Sequence, residues 1–283
     1  MTIENRTSQL AANSLAALTK ALESGSSEAL SAYLSVMARF HTYSWNNSLL
    51  ISVQRPSATR VAGFRAWLKL GRHVRKGEKG IAILAPVLCR SSKDLDETGA
   101  DEQIAAPAFR RLLGFRTAYV FDLAQTEGQE LPEFPKVKGE PEENTAALKA
   151  FVHSRNIGLE YDQSISPAYG ASHGGRISLL PGLSAAVEFS TLAHEVAHEL
   201  LHRGDRRSQT TKTIRETEAE AVAFVVCQAI GLDTDTAAAD YIKLYNGNAA
   251  TLLASLHLIQ STAAEILAAL GVGDSKKLDW KEA

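Results

Sequence analysis

Apolar residues recur at helical spacing through the N-terminal part of the chain. One stripe runs from Leu10 to Leu22 and a second from Leu30 to Phe40. Apolar residues three and four apart lie on one face of a helix, so the pattern predicts two helices, separated by Gly25-Ser26-Ser27. A third helix is predicted over WNNSLLISVQ, which Pro56 ends, and a short fourth over GFRAWLKLG, which glycines bound.

Two strands are predicted after the basic turn RKGEKG. The run IAILAPVL is too short and too rich in branched residues for a long helix, and Phe115–Phe121 has the same character. The segment between them, Ser91–Pro107, is polar and acidic and is therefore predicted to be a loop.

A proline-rich, acidic segment predicts where the chain divides. Residues 126–144 hold three of the eight prolines and six glutamates, a composition typical of a linker. We predict a first domain over residues 1–126, a linker over 127–144 and a second domain over 145–283. The second domain is predicted to contain helices over 145–155, 184–202, 213–230, 236–244 and 248–270, and extended segments over 158–161, 165–169 and 176–180. The expected fold class is α+β.

Composition excludes several protein classes. Of 283 residues, 45% are hydrophobic and 22% are charged, which excludes a wholly disordered or collagen-like chain. Cys89 and Cys227 lie far apart and neither belongs to a CxxC pair, so a disulfide framework and a four-cysteine zinc site are excluded. No apolar run reaches the roughly 18 residues of a membrane span, and Met1–Leu22 does not build a signal-peptide core. We expect a soluble, cytoplasmic protein without membrane association.

The formal net charge of −2 hides a basic segment. Between Arg55 and Gly80 eight cations accompany a single anion, Glu78, so this segment carries a charge of +7. Such an asymmetry in a nearly neutral chain points to a surface for polyanions. A solvated basic surface without a ligand is an equally good interpretation of the charge alone.

The sequence HEVAHELLH carries the clearest chemical signal. His194 and His198 are four residues apart, so on a helix their rings lie one turn apart on the same face and can bind one tetrahedral ion. Glu195 lies about 100° round the helix, close enough to reach a water molecule on that ion. Two nitrogen ligands, an open coordination position and a carboxylate that takes a proton are the parts of a metallohydrolase. The motif therefore predicts a metal site with Glu195 as its base.

A third ligand is required, since two histidines leave zinc under-coordinated. The next predicted helix offers Glu216, Glu218 and Glu220. Glu216 and Glu220 share a face with an apolar stripe, so packing of that stripe on the HExxH helix would direct Glu220 inward. Glu216 is then either a ligand or a carboxylate that orients a ligand histidine, and Glu218, about 160° away, is expected to be solvated. His202 continues the histidine stripe, and we expect it to orient a ligand rather than bind the metal.

The predicted strand Arg176–Leu180 comes just before the HExxH helix. In HExxH peptidases a strand that borders the cleft can hold the substrate by main-chain pairing, which requires an exposed edge. Gly174-Gly175 would let a backbone approach closely there. Tyr169 and His173 flank this stretch and could stabilise the oxyanion of a tetrahedral intermediate, although an ordinary turn explains each of them equally well.

Three separated blocks of the sequence resemble one known family. The blocks are YSWNNSLLISVQRPSATRVAGFRAWLKLGRHVRKGEKGIAILAPV, then AYVFDLAQTEG, then GGRISLLPGLSAAVEFSTLAHEVAHELLHRGD followed by ETEAEAVAFVVC. In this order and spacing they resemble the ArdC-type antirestriction proteins carried by plasmids and other mobile elements, over most of Tyr43–Gly231. The resemblance implies an N-terminal domain that binds single-stranded DNA without sequence preference. It also implies a C-terminal, zincin-like domain similar to the zinc peptidases related to IrrE and the SprT/Spartan group, and protection of incoming DNA from host restriction.

Carried over residue by residue, the resemblance implies a complete metal site. His194 and His198 become metal ligands, Glu195 the general base and Glu220 the third ligand. The implied cofactor is Zn²⁺, with another divalent metal such as Mn²⁺ as the alternative. The implied partners are single-stranded DNA and a protein substrate on DNA.

Binding of single-stranded DNA requires cations that follow the backbone and aromatic rings that stack on bases. The basic segment supplies the cations, and Tyr43, Trp45, Phe64 and Trp67 supply rings, each of which could instead belong to the core. Asn46 and Asn47 could donate to phosphate or base edges, or cap the third helix. The residues predicted to bind DNA are Trp45, Asn46, Arg65, Trp67, Arg72, Arg75, Lys76 and Lys79.

These observations favour an antirestriction protein that combines a DNA-binding domain with a zinc peptidase domain. Two alternatives remain open from the sequence. In one, the protein is a DNA-binding shield whose metal site is not catalytic. In the other, it is an IrrE-like regulatory metalloprotease that cleaves a repressor.

Overall fold

The computed structural model describes residues 3–23, 28–90, 110–130, 141–232 and 249–272. Helices alternate with three small sheets, so the fold class is α+β, as predicted. The predicted loop over residues 91–107 and the predicted helix over residues 236–244 lie outside the described residues.

The N-terminal part contains the four helices and two long strands that the apolar pattern predicts. The helices are α1 (Ile3–Glu23), α2 (Glu28–Arg39), α3 (Trp45–Gln54) and α4 (Phe64–Lys69). The strands are β1 (Val61–Gly63), β2 (Arg72–Val74), β3 (Ile81–Arg90), β4 (Arg110–Asp122) and β5 (Thr126–Gly128). Strand β4 pairs antiparallel with β1 and β3, and β2 pairs antiparallel with β5.

One face of the β1-β4-β3 sheet is buried and one edge is covered. Ile81, Ile83, Ala118 and Val120 alternate toward a small core shared with α2 and α3. At the edge of β3, the amide side chain of Asn47 in α3 exchanges two hydrogen bonds of 2.9 Å with the main chain of Leu84. Gln54 does the same with Ala82 at 2.8 and 2.9 Å. Helix α3 therefore satisfies the main-chain groups of this edge. Asn47 is thereby used in the fold, and Ser44 rather than an asparagine caps α3.

The C-terminal part surrounds a second small sheet with helices. The helices are α5 (Pro141–Ser154), α6 (Ala185–Leu201), α7 (Asp205–Gln209), α8 (Lys212–Ala229) and α9 (Ala249–Ala269), and the strands are β6 (Gly158–Tyr161), β7 (Gly170–Ser172) and β8 (Arg176–Leu179). Strand β8 lies in the middle, parallel to β6 and antiparallel to β7.

One sequence-based expectation for this part was wrong, and one helix was not predicted. The extended segment predicted over residues 165–169 is not a strand: a 3-10 turn occupies Gln163–Ile165, and the strand β7 begins only at Gly170. The helix α7 was not predicted, because five residues are too few for an apolar period to be read. The described ends of the predicted linker are also structured, since Thr126–Gly128 forms β5 and α5 begins at Pro141.

The main hydrophobic core crosses the predicted domain boundary. Leu22, Leu34 and Met37 from α1 and α2 belong to the same buried cluster as Val196 of α6 and Val222 of α8. Helix α2 packs on α8, which also packs on α6 and α9. The elements that carry the DNA-binding and metal-site residues thus share one core, and the division into domains remains a prediction.

Helix α9 passes a length and composition test for a membrane span. Its segment Leu252–Ala269 has a mean hydropathy of 1.4, but half of that segment is buried inside the protein. Leu252, Leu256 and Ile259 belong to the main core. The sequence predicts this helix over residues 248–270, and polar residues interrupt its apolar run, whose character is that of a core element.

Candidate metal centre

Packing of α6 determines which way the HExxH motif faces. Phe189, Leu192 and Val196 are completely buried in the main core. Because a helix has 3.6 residues per turn, this apolar stripe fixes the rotation of α6 and places His194 and His198 together toward α8. The two rings meet edge to face, with centroids 4.8 Å apart.

Three potential ligand atoms form a compact triangle between α6 and α8. The Nε2 atoms of His194 and His198 are 3.1 Å apart. Oε2 of Glu216 lies 3.5 Å from the first and 3.4 Å from the second. Two ligands at about 2.1 Å from a tetrahedral ion are about 3.4 Å apart, so this triangle fits one face of such a site. In the part of the chain that the structure describes, no other trio of His, Cys, Asp or Glu side chains forms a comparable cluster.

Glu220 occupies a different position from the one the family resemblance implies. Its Oε2 lies 3.3 Å from Nδ1 of His194, the ring nitrogen that points away from the triangle. A carboxylate in this position fixes the orientation of a ligand histidine and makes it a better donor to a metal. The structure thus assembles Glu216, and not Glu220, with the two Nε2 atoms.

The carboxylates change the protonation of the metal-free site. Burial opposes a charge on His194, but its hydrogen bonds with Glu216 and Glu220 outweigh burial and raise its pKa to about 9. The same contacts with His194 and His198 hold the pKa of Glu216 well below its usual range. Glu216 is therefore a full negative charge beside two imidazoles, which favours a cation between them.

Glu218 is not solvated, contrary to the sequence-based expectation. It is completely buried, where its Oε1 accepts hydrogen bonds from Arg206 (2.8 Å) and Ser255 (2.6 Å). Its Oε2 lies 2.9 Å from Nε2 of His202, and Nδ1 of His202 lies 3.0 Å from Nδ1 of His198. Burial raises the pKa of Glu218, but these hydrogen bonds prevail and lower it to about 2. His202 thus contacts a metal-site histidine, as expected, through a buried partner that the sequence reasoning missed.

Glu195 has the environment of a proton carrier. Its side chain is only 7% exposed, and loss of hydration raises its pKa above the usual glutamate value. A carboxylate whose pKa moves toward neutrality transfers protons more efficiently at the pH of a cell. Gly170 of β7 lies directly against it, since a Cβ atom there would come within 2.9 Å of Oε1 of Glu195.

A cavity of about 330 Å³ opens beside the triangle. Its lining combines His194, Glu195 and Glu220 with polar and apolar neighbours: Tyr169, Gly170, Ser190, Thr191, Ala223, Phe224 and Cys227. Burial raises the pKa of the Cys227 thiol to about 12, so this free cysteine remains a neutral thiol at physiological pH.

The edge strand next to the HExxH helix is β7 rather than β8. The sequence reasoning assigned substrate pairing to Arg176–Leu180, but β8 lies between β6 and β7 and both of its edges are occupied. In the described sheet β6 and β7 are the two terminal strands, and β7 is the one that lies against α6 and Glu195. An extended peptide could therefore pair with Gly170–Ser172.

Glu199, which the sequence reasoning did not use, holds the turn between β7 and β8. It is completely buried and accepts hydrogen bonds from the main-chain N–H groups of Gly174 (2.8 Å) and Gly175 (2.7 Å). The Ser172 hydroxyl also donates to it at 2.7 Å. A second glutamate immediately after the HExxH motif was the available signal, because a buried carboxylate on α6 needs donors from a neighbouring element.

The two candidates for an oxyanion partner are placed differently. Tyr169 is largely exposed and lines the cavity. His173 instead directs its Nε2 at the Ser178 hydroxyl, 3.0 Å away, on the β8 side of the hairpin. Tyr169 is therefore the better placed of the two for a group bound in the cavity.

Comparison with known proteins agrees with this architecture. Residues 3–121 match the model of a protein family, the N-terminal domain of anti-restriction factor ArdC. The chain carries an ArdC N-terminal domain. The family resemblance predicted from the sequence is thereby confirmed for this part of the chain.

Two further proteins are similar over longer ranges. An uncharacterized protein of Bacillus anthracis is 28% identical over 247 residues, which covers 75% of this chain and 42% of that protein. The chain thus spans about two fifths of the length of this curated relative. The crystal structure of the antirestriction ArdC protein from plasmid R388 with bound Mn(II) has a TM-score of 0.54 at 19% identity, and the match covers 94% of this chain and 99% of that chain. This similarity shows a common fold.

Within the ArdC N-terminal domain, several residues predicted to bind DNA have structural roles instead. Trp67 is 2% exposed and its indole N–H donates to the Phe121 carbonyl at 2.9 Å, so it belongs to the core and cannot stack on a base. Trp45 is half-buried and packs against the main core. Asn46 is half-buried as well, and its Oδ1 has no hydrogen-bond partner among the described residues.

Two of the predicted cations, Arg72 and Arg75, hold neighbouring parts of the protein. Arg72 donates to the Thr126 hydroxyl (2.8 Å) and to the Thr126 carbonyl (3.0 Å), so its guanidinium holds β5 against β2. Arg75 donates to Glu78 at 2.9 Å and to the Ala124 carbonyl. Lys76 and Lys79 are exposed, and Arg65 is exposed on α4. Lys76 and Lys79, at the tip of the basic turn, therefore offer cations to a ligand, whereas Arg72 and Arg75 bond within the protein.

An aromatic patch on the same domain was not predicted in full. Phe64 and Tyr119 are about half exposed, and Phe64 meets Phe121 edge to face with centroids 6.5 Å apart. Gly80 lies beneath these rings, since a Cβ there would come within 2.9 Å of Tyr119 and 3.1 Å of Phe121. We call Phe64, Tyr119 and Phe121 the aromatic patch. The alternation of AYVFD in a strand was the signal, because Tyr119 and Phe121 face away from buried Ala118 and Val120.

Proposed function

We propose that this protein is an antirestriction factor that binds single-stranded DNA and carries a metal-dependent peptidase site. The observation that supports it best is the combination, in one hydrophobic core, of an ArdC N-terminal domain with an HExxH helix whose two histidines meet the carboxylate of Glu216. Its activity, substrates and partners are proposals. We place this activity in the cytoplasm, because DNA that enters a cell meets restriction enzymes there.

The proposed metal ligands are Nε2 of His194, Nε2 of His198 and a carboxylate oxygen of Glu216. Two imidazoles and one carboxylate are a ligand set of catalytic zinc sites, which keep one position open for water or substrate. Zn²⁺ is the cofactor we propose, and Mn²⁺ is the alternative, because the ArdC protein of plasmid R388 has a structure with bound Mn(II). When bound, the metal would polarise the scissile carbonyl and lower the pKa of a water molecule.

The residues around the metal would perform the remaining steps. Glu195, desolvated between α6 and β7, would take the proton of the attacking water and pass it to the leaving amine. The exposed edge of β7 would hold the substrate main chain beside Glu195. Tyr169 would lie close to the substrate in the cavity.

The aromatic patch and the exposed cations form the proposed DNA interface. Lys79 directly precedes Gly80, on which Tyr119 and Phe121 pack, so a strand whose bases stack on Phe64 or Tyr119 would place phosphates within reach of the basic turn. Stacking and charge together recognise single-stranded DNA without a sequence preference. The peptidase site would then act on a protein bound to the same DNA.

Transfer of unmodified DNA into a restricting host tests this function. Cells that contain the wild-type protein should receive a plasmid with restriction sites more often than cells without it, and the Glu195→Gln variant should lose that protection while it still binds a single-stranded oligonucleotide. Retention of full protection by Glu195→Gln would favour the shield with a non-catalytic metal site. Absence of oligonucleotide binding by wild-type protein at low salt would favour the regulatory protease.

A further inference from the structure

A buried chain of hydrogen-bonding groups leads away from the metal triangle. Nδ1 of His198 lies 3.0 Å from Nδ1 of His202, and Nε2 of His202 lies 2.9 Å from Oε2 of Glu218. The other oxygen of Glu218 accepts from Arg206 of α7 and from Ser255 of α9. His202 is 2% exposed and Glu218 is completely buried, so water does not replace these partners. The chain ends on two helices that contribute nothing to the HExxH motif itself.

The positions of the protons in this chain follow from its two ends. The guanidinium of Arg206, 2.8 Å from Oε1 of Glu218, favours the ionised form of this carboxyl group, which can only accept hydrogen bonds. Nε2 of His202 must therefore carry a proton. Nδ1 of His202 is then bare and can only accept, so its 3.0 Å contact with Nδ1 of His198 requires the proton on that nitrogen of His198 and leaves Nε2 bare, as a metal ligand needs. One arrangement meets both conditions: His198 donates from Nδ1 to a bare Nδ1 of His202, and His202 donates from Nε2 to Glu218.

We propose that His202, held by Glu218, is a positioning residue of the metal centre that fixes the tautomer and the ring orientation of His198. The inference rests on the proposed metal site. The two proposed histidine ligands are oriented in different ways. Glu220 contacts Nδ1 of His194 directly, whereas the imidazole of His202 lies between His198 and Glu218. The position of His198 consequently depends on α7 and α9 as well as on α6 and α8.

The first test measures the tautomers in the metal-free wild-type protein. Long-range ¹H–¹⁵N correlation spectra distinguish a protonated Nδ1 from a protonated Nε2, and spectra of His198→Gln and His202→Gln assign the signals. We expect His198 protonated on Nδ1 and His202 protonated on Nε2. The inference is overturned if His198 carries its proton on Nε2, or if Nδ1 of His202 is protonated. This measurement needs no metal, so its result is independent of whether the proposed function is correct.

The second test compares His202→Gln with His202→Leu. Both side chains fill the space of the imidazole in part, but only glutamine can accept from His198 and donate to Glu218. Partners of metal-bound histidines typically contribute about 10–100-fold to metal affinity, so we expect a loss of that size in His202→Leu and a loss of only a few-fold in His202→Gln, measured by competition of Zn²⁺ with a chelator.

Matched controls separate this role from simple packing. His153→Ala removes an exposed histidine that bonds only to its own helix, and it should leave metal affinity unchanged. Equal affinities of the leucine and glutamine variants would show that His202 only fills space and would overturn the inference. If His202→Leu does not fold by circular dichroism, the tautomer measurement decides alone. If the wild-type protein binds no divalent metal, the proposed function fails, and the tautomers still report on His202.

Discussion

Glu220 bonds to the outer nitrogen of the His194 ring, with its Oε2 atom 3.3 Å from Nδ1. Glu216, one helical turn earlier on α8, faces Nε2 of the same ring from the other side at 3.5 Å. The imidazole is thus held between two carboxylates four residues apart. Only Glu216 also faces Nε2 of His198, so only this carboxylate can bind an ion together with both histidines. Glu220 can only orient the His194 ring.

The two carboxylates should therefore differ in their effect on metal binding. Glu216→Gln removes a charged ligand and should abolish stoichiometric binding of Zn²⁺ at micromolar concentrations. Glu220→Gln removes an orienting partner and should weaken affinity by about 10–100-fold without loss of stoichiometry. Elemental analysis after dialysis, with chelator competition, measures both. The reverse order of effects would make Glu220 the ligand.

Gly170 should not tolerate even a methyl group. A Cβ atom there would lie 2.7 Å from Cγ2 of Thr191 and 2.8 Å from Cγ of Glu195, so Gly170→Ala should cost about 1–3 kcal/mol of unfolding free energy. Gly158→Ala in β6 is the matched control, since its Cβ would meet Arg176 only at 3.4 Å. Urea unfolding should show a change of less than about 0.5 kcal/mol for the control. Equal effects would show that β7 does not lie against Glu195.

Glu199 should stabilise the turn between β7 and β8. In Glu199→Gln one acceptor oxygen becomes an N–H₂ group that confronts a main-chain donor, so unfolding free energy should fall by about 1–3 kcal/mol. Hydrogen exchange at the Gly174 and Gly175 amides should accelerate. Arg203→Gln removes the exposed ionic partner of Glu199 and should cost less than about 1 kcal/mol. Unchanged exchange at both glycines in Glu199→Gln would contradict this role.

Phe64 and Trp67, three residues apart, should give opposite phenotypes. Phe64→Ala should keep the fold and weaken binding of a single-stranded oligonucleotide by about 1–3 kcal/mol, the contribution of one stacked base. Trp67→Ala should lower unfolding free energy by about 3–5 kcal/mol, because its ring is buried. Fluorescence anisotropy and thermal unfolding separate the two effects. Normal oligonucleotide affinity in Phe64→Ala would remove Phe64 from the interface.

The basic turn should show the same division between exposed and engaged cations. Each lysine that neutralises a phosphate of a single strand contributes about 0.7 to the steepness with which log affinity falls against log salt, so Lys76→Ala combined with Lys79→Ala should reduce that steepness by about 1.4. Arg72→Ala should instead destabilise the pairing of β2 with β5, because Arg72 donates to Thr126. Oligonucleotide titrations at several salt concentrations test the slope. An unchanged slope in the double lysine variant would exclude Lys76 and Lys79 from the DNA interface.

The sequence predicted the parts of this site that a helical period determines. His194, Glu195 and His198 lie as their spacing requires, because neighbours four apart on a helix share a face whatever surrounds them. The helical period alone gave the wrong expectation for Glu218, which is completely buried. The period placed it away from Glu216, but it could not show that α7 and α9 bring Arg206 and Ser255 to that side.

Tertiary packing decided the remaining positions. Trp67 and Phe64 belong to one six-residue helix, α4, and no period could tell which ring the sheet would bury. Strand β7 has only three residues, too few for an alternating pattern to predict it, although it is the terminal strand beside Glu195. Strands β3 and β4 and most helices could be predicted, because the apolar pattern of each repeats over more than one helical turn or more than one strand pleat.

An anomalous difference map from a crystal of the Mn²⁺- or Zn²⁺-loaded protein tests the central claim most directly. We expect a single strong peak about 2.0–2.2 Å from Nε2 of His194, Nε2 of His198 and a carboxylate oxygen of Glu216, with Glu220 still on Nδ1 of His194. A peak bound by Glu220 in place of Glu216, or no peak between α6 and α8, would contradict it.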